Sequence, residues 1–289
     1  MIDKRKAKEL VLGCLIADSY CLGSHWIYDE KELKNLPTNW EELSNAHSIW
    51  HKGKKAGEFT HYGDQLYFLY QYVSENDEFD VEKYIHFWKE KMENYDGYID
   101  GATRTTIENL NQNQAIPCGS TSTDISVIGR IAPLLLVSKT KVQFLQNVEK
   151  YVRATHNSNI VVEGAKFFAK VLVDVLDDIE MMESIKERKD EFSSAIQKYV
   201  NDGLSSIDDE TFDAIRAFGP ACGIDEAFSG VIHLLGKYTN FKEALIKNAQ
   251  AGGDNSARAM IVAMFFIARY GLKVIPKNLT KIKVQIDIS

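Results

Sequence analysis

Five short segments of this sequence gather carboxylates, imidazoles and hydroxyls whose types and spacing can do chemistry. Asp18 ends an apolar run and is followed by Cys21 and Leu22, so its carboxylate is expected to be buried and to need a partner. Next come His25-Trp26-Ile27-Tyr28-Asp29, in which aromatic rings either close a helix corner or hold a ligand. Segment 57–65 offers Tyr62, Gly63 and Asp64: Asp64 can cap a helix, and Gly63 lets a ligand or metal approach the backbone. Segment 119–124, Gly-Ser-Thr-Ser-Thr-Asp, is either a capping turn or a lining for phosphate or ribose, with Ser122 and Asp124 as the contacts. His156, in the corner Thr155-His156-Asn157-Ser158, either packs or binds. The sharpest pattern is Gly252-Gly253-Asp254-Asn255-Ser256-Ala257-Arg258, where two glycines and three polar residues open an apolar helix. Such a nest binds an anion by its amides or a hard cation by its oxygens.

Helical elements must position these segments. Asp80 reads as an N-cap for the stripe Val81, Tyr84, Ile85, Trp88, Met92 and Tyr95, which recurs at i, i+3/i+4. A second stripe runs Val161, Gly164, Ala165, Phe168, Val171, Leu172 and Val175, apolar on more than one side and therefore deep. Further helices are expected over 4–22, 64–74, 101–113, 124–138, 141–153, 185–202, 208–217, 224–236, 241–250 and 255–270. The charged stretch 177–190 reads as a loop or a solvated helix face. Only 282–288 alternates as a strand does, and one strand makes no sheet, so it is an extended tail or an edge contact. The expectation is all-α, a single domain over 1–289, with a core over about 8–271 and an extended tail over 272–289.

Composition excludes several classes. The 289 residues carry 34 Lys+Arg against 41 Asp+Glu, a net charge of −7, without the basic footprint of a nucleic-acid binder. Five prolines and 18 glycines argue against disorder and against a loop-rich β sandwich. Area scaling predicts roughly 12,000 Å² exposed on folding, about a quarter of the unfolded surface, which leaves one large core. The four cysteines lack CxxC spacing and no histidine cluster accompanies them, which argues for buried thiols and against zinc. Lys4, Arg5, Lys6 and Lys8 precede an apolar run bracketed by Glu9 and Asp18, short for a signal peptide, and no later run reaches the roughly twenty residues of a membrane span. A cytoplasmic protein without a membrane partner is expected. Its oligomeric state is not legible.

Taken in order, the motifs resemble the ADP-ribosylglycohydrolase superfamily. Gly13–Asp18 is similar to that family's opening helix, Gly129-Arg130-Ile131-Ala132-Pro133 to its Arg-Ile-Ala-Pro segment, Thr155-His156-Asn157 to its Thr-His corner, and Gly252-Gly253-Asp254 to its C-terminal loop. Ala17-Asp18, His25 to Asp29 and Tyr62-Gly63-Asp64-Gln65 resemble the branch that contains J-type crystallins and selenoprotein J. The resemblance implies an all-α fold with a cleft for ADP-ribose, free or protein-linked. It also implies glycosidic cleavage at the ribose, supported by carboxylates and, in metal-dependent members, two magnesium ions.

The sequence departs from that pattern where the metal would bind. The Thr-Asp-Asp-Thr loop is replaced by His61-Tyr62-Gly63-Asp64, or by Thr60-His61-Tyr62-Gly63 in the neighbouring register, and the second carboxylate of the last loop by Ser256. Asp254 and Asp64 are the carboxylates left for a magnesium ion, too few to offset two. Arg258 can offset charge or hold a phosphate. Asp18, Asp64 and Asp254 are the expected catalytic carboxylates. His25, Trp26, Tyr62, Gly63, Ser122, Asp124, His156, Gly253, Asn255, Ser256 and Arg258 are the expected substrate contacts. The alternative is a non-catalytic nucleotide binder or a crystallin-like structural protein.

Overall fold

Helical periodicity in the sequence becomes helix in the computed structural model, which describes residues 3–288. In chain order the helices are α1 Lys4–Cys21, α2 Glu30–Lys34, α3 His61–Ser74, α4 Val81–Glu93, α5 Gly101–Asn111, α6 Lys141–Thr155, α7 Asn159–Leu176, α8 Met181–Arg188, α9 Ser194–Ser205, α10 Thr211–Phe218, α11 Ile224–Lys237, α12 Phe241–Ala251 and α13 Asn255–Tyr270. No strand forms among the described residues, and the only ladders are isolated bridges, Ser120 with His156 and Asp124 with Gly223. The described residues expose 12,112 Å², close to the area expected from chain length.

α13 is the axis of the domain. It is buried from Asn255 to Ala268 because its small and apolar residues leave no polar face. α1 lies directly against it: a Cβ on Gly13 would sit 2.6 Å from Ile267, and the Cys14 thiol donates to the Met260 carbonyl at 3.3 Å. Small residues thus bring two helix backbones close, which places Asp18 beside the start of α13. α7 and α11 close another side through Phe168 and Phe228, with ring centres 4.6 Å apart.

Several elements differ from the periodic reading. Segment 124–138 forms two 3-10 segments, Ile125–Arg130 and Ala132–Val137, rather than one α-helix. Pro133 lacks an N–H and its ring opposes the carbonyl four residues earlier, so the chain tightens and restarts. The helix expected over 185–202 breaks around Lys189–Glu191, and Ser193 caps α9 while its own N–H is taken by Glu163 at 2.6 Å. Thr60, not Asp64, caps α3, accepting from the Tyr62 N–H at 3.1 Å. Asp80 caps α4 as expected.

The tail forms short 3-10 turns at Leu272–Val274 and Lys277–Thr280, then runs extended without pairing as a strand. It packs on the body by Leu279 and Ile286, and the Lys283 N–H donates to the Gly57 carbonyl at 2.8 Å. Among the described residues no helix is long and apolar enough to cross a membrane.

Candidate functional site

Asp18 is fully buried and satisfied. The Thr60 N–H donates to one carboxylate oxygen at 2.8 Å, and the other accepts from the Thr60 hydroxyl at 2.6 Å and from the Ser256 hydroxyl. Gly63 makes room for it: a Cβ there would overlap the carboxylate, 2.7 Å from its Cγ and 2.9 Å from the Phe59 Cβ. What approaches the Gly63 backbone is therefore Asp18, not a ligand or metal. Asp18 ties α1, α3 and α13 together, with no exposed face.

Burial pushes the Asp18 carboxyl up to about 6, against the pull of the Ser256 and Thr60 hydrogen bonds. Between its unfolded value and about 6 the folded chain binds this proton and the unfolded chain does not, so ionising Asp18 costs stability as pH rises through that window. The Ser256 hydroxyl favours the ionised form. Ser256→Ala is thus expected to destabilise by about 1–2 kcal/mol at about pH 8 and by clearly less at about pH 5, where Asp18 is mostly protonated. Urea unfolding of both proteins at the two pH values measures it; an equal loss at both would contradict the assignment.

Asp124 and Asp254 meet at a single hydroxyl. Tyr62 Oη lies 3.0 Å from Asp124 Oδ2 and 3.1 Å from Asp254 Oδ2. Burial, then the two aspartate charges, hold the Tyr62 phenol well above its ordinary value, so it keeps its proton. One hydroxyl hydrogen cannot serve two carboxylates, so both contacts are satisfied only when one carboxyl is protonated and donates to the phenol oxygen. Asp254 is that group: burial and then the Asp124 charge push it up to about 8. Burial also raises Asp124, while the Ser126 N–H, donating at 2.7 Å, favours its ionised form. Proton order along the chain is Asp254, Tyr62, Asp124.

Of the two, Asp124 faces a cavity of about 440 Å³, whose wall includes Trp26, Tyr98, Gly101, Ser122 and Cys222. Asp124 is held by capping the segment Ile125–Arg130, where it accepts from the Ser126 N–H, by the Ile125 N–H donating to the Cys222 carbonyl at 2.9 Å, and by its own N–H donating to the Ser122 hydroxyl at 3.2 Å. Burial and the adjacent aspartates push the Cys222 thiol up, so it stays protonated. His156 serves the same wall from behind. Its Nδ1 lies 2.9 Å from the Thr155 hydroxyl, and the adjacent Thr155 carbonyl accepts from the Ser120 N–H at 3.0 Å.

The C-terminal loop is built inward. Gly252 and Gly253 take φ of +68° and +62°, and a Cβ on Gly253 would lie 2.7 Å from the Pro220 Cβ. The Gly253 N–H donates to the Ile27 carbonyl and the Trp26 N–H to the Gly253 carbonyl, each at 2.8 Å. This lock holds Trp26 at φ +59°, left-handed backbone uncommon for a bulky residue, with its ring at the cavity. Asn255 donates to Ser24 at 2.7 Å, and Arg258 donates to Asn248 at 2.9 Å and to the Gly252 carbonyl at 2.6 Å. Arg258 is fully buried and holds the loop rather than reaching a phosphate. Of the expected substrate contacts, Trp26, Ser122 and Asp124 line the cavity. His25, Tyr62, Gly63, Asn255, Ser256 and Arg258 support it from within, as do Gly253 and His156.

Asp64 stands apart from this pair. It lies between Lys54 Nζ at 2.5 Å and Lys283 Nζ at 2.6 Å, accepts from the Tyr95 hydroxyl at 2.7 Å, and lines a separate cavity of about 670 Å³. Among the described residues two groups present donor atoms within 4.8 Å of one another, close enough to share one ion: Asp124, Cys222 and Asp254, and His25, His51 and His61. Asp64 belongs to neither.

The dinuclear magnesium centre implied by the resemblance does not fit. Ser256 is spent on Asp18 and Asp64 on two ammonium groups, which leaves Asp124 and Asp254 as the carboxylates in reach of one another. Two magnesium ions demand several ionised oxygen ligands in near-octahedral order.

Sequence reasoning missed Tyr98, Asp100, His51 and Cys222. Asp100 carries a usable signal as the N-cap of α5, accepting from Thr103 at 2.7 Å. The other three have no periodic or motif signal, because tertiary packing alone brings them in.

Comparison with known proteins agrees with this architecture. The ADP-ribosylglycohydrolase family model matches residues 2–285. Crystallin J1A of Tripedalia cystophora is 26% identical, over 95% of this chain and 91% of its own length. Crystallin J1B of the same animal is 24% identical over the same shares. A solved structure described as an ADP-ribosylglycohydrolase-related protein complex superposes with a TM-score of 0.70 at 17% identity, covering 96% of this chain and 92% of its own, a likeness of fold. With the family model spanning nearly the whole length, the chain belongs to the ADP-ribosylglycohydrolase family.

Proposed function

We infer that this protein hydrolyses a glycosidic bond to ADP-ribose or a related nucleotide-sugar conjugate without a dinuclear magnesium centre. The observation that carries the reading is the Asp124–Tyr62–Asp254 unit, two carboxyls joined through one phenol, with Asp124 on the wall of a cavity. An ionised Asp124 at the cavity wall supports the positive charge of an oxocarbenium-like transition state and takes a proton from attacking water. The proton taken from water leaves with the departing group or passes to bulk water, which restores the ionised Asp124, while protonated Asp254 behind it keeps the Tyr62 hydroxyl donating to Asp124.

The cavity suits a nucleotide sugar. Its volume lies in the range of small-ligand sites. Trp26 and Tyr98 supply an aromatic wall, with ring centres 5.0 Å apart at 90°, against which a base can pack. Gly101 and Ala102 place the amide-rich start of α5 on the same wall, and Ser122 adds a hydroxyl. The test is release of ADP-ribose from arginine-, serine- and carboxylate-linked conjugates, together with calorimetry using ADP-ribose and ADP. Product supports the hydrolase.

The crystallin relatives favour a second reading, a structural or ligand-holding protein. ADP-ribose binding with no cleavage of any linkage supports a binder, and binding of neither nucleotide supports a structural role.

A further inference from the structure

We propose that His25, His51 and His61 form a binding site for one divalent transition-metal ion of the zinc class. The three imidazoles come from separate elements: His25 from the turn after α1, His51 from the 3-10 turn Ile49–His51, and His61 from the first residue of α3. Their ring centres are 5.1, 5.3 and 6.2 Å apart. Imidazoles bound to a tetrahedral ion at about 2.0–2.1 Å have nitrogens about 3.3 Å apart and ring centres roughly 5 Å apart. His51 Nε2 and His61 Nδ1 stand 3.1 Å apart.

The surroundings orient the rings as outer partners of a metal site do. His25 Nδ1 is 3.3 Å from the Asn255 side-chain oxygen and 3.7 Å from Asp254 Oδ1, which leaves Nε2 for the ion. His61 Nε2 is 3.5 Å from Asp100 Oδ2, which leaves Nδ1. His25 Nε2, the atom left for the ion, is buried without a hydrogen-bond partner. A core histidine that serves packing alone is normally hydrogen-bonded, and an unpartnered His25 Nε2 next to the His51–His61 contact points to a missing shared partner. Nitrogen donors select zinc, copper, nickel or iron over magnesium, which prefers oxygen. Three protein ligands leave a fourth position open; Trp26 and Tyr98 pack against the His51 ring, and His51 borders the 670 Å³ cavity, which gives an ion its way in.

The site uses none of the residues of the Asp124–Tyr62–Asp254 unit as ligands, so it stands or falls apart from the hydrolase reading. The whole chain is stripped by dialysis against a chelator and titrated with Zn²⁺, Co²⁺ and Mg²⁺. The expected result is one equivalent of Zn²⁺ or Co²⁺ per chain, with the intense visible bands of tetrahedral cobalt and a raised Tm, and no such uptake of Mg²⁺. His51→Ala should lose the cobalt bands and weaken binding by more than the roughly 10–100-fold cost of losing an outer partner. Should that variant fail to fold, X-ray absorption of the zinc-loaded natural chain decides the matter, with three imidazole scatterers expected. Absence of stoichiometric uptake, oxygen-only coordination, or unchanged binding by a folded His51→Ala would overturn the site.

Discussion

Gly63→Ala is expected to destabilise the fold by about 4 kcal/mol. The methyl group would meet the Asp18 carboxylate and the Phe59 Cβ, both buried. Relief requires moving Asp18 away from Thr60 and Ser256, and a buried carboxylate separated from its donors is the more costly part of the loss. Urea unfolding should show the drop in midpoint, and thermal unfolding a fall of roughly 10 °C. Gly101→Ala is the control. Nothing lies within 4 Å of a Cβ there, and it opens α5, so alanine should leave stability unchanged or slightly higher. A Gly63→Ala protein as stable as the parent would remove Asp18 from its place as the knot of the site.

Asp124→Asn is expected to lower turnover by about 10²–10⁴-fold while the protein stays folded. The amide keeps an oxygen for the Ser126 N–H, so the local turn survives. It cannot take a proton from water, and the Tyr62 phenol is left with Asp254 as its one carboxyl partner. The loss should fall on kcat, with KM little changed, because the groups that pack against the nucleotide are Trp26, Tyr98 and the start of α5. A loss confined to KM would move Asp124 from chemistry to binding.

Much of this architecture was legible from periodicity. α4, α7 and α13 announce themselves by apolar residues at helical spacing, and Asp80 marks a start that the structure keeps. The all-α class followed from those stripes. The breaks were harder, because a 3-10 segment such as Ile125–Arg130 carries the same apolar content as an α-helix, and only the backbone shows the tightening. The site was legible as loops but not as contacts. Asp18, Asp64, Asp124 and Asp254 all stood out, yet nothing in their spacing tells that Tyr62 joins two of them while Lys54 and Lys283 draw a third aside. Lys283 comes from a segment whose alternation reads as an extended tail or an edge contact, with no sign that it reaches Asp64. The three histidines lie 26 and 10 positions apart, without metal-ligand spacing, and their meeting depends on turns that no pattern specifies.

Asp254 and Arg258 show how one loop can keep a family's outline while its chemistry changes. The Gly252-Gly253-Asp254 turn persists because positive φ and close approach to Pro220 demand it. Beyond that turn, Ser256 and Arg258 face inward to Asp18 and to loop carbonyls, where they stabilise the fold instead of gathering cations.

The most direct measurement is the initial rate of ADP-ribose release from a cleavable conjugate as magnesium is added to magnesium-free buffer. A carboxylate pair working through Tyr62 predicts product from the start and a rate that stays flat as magnesium rises. Release that begins only when magnesium is present, or no release from any linkage at any magnesium concentration, would contradict it.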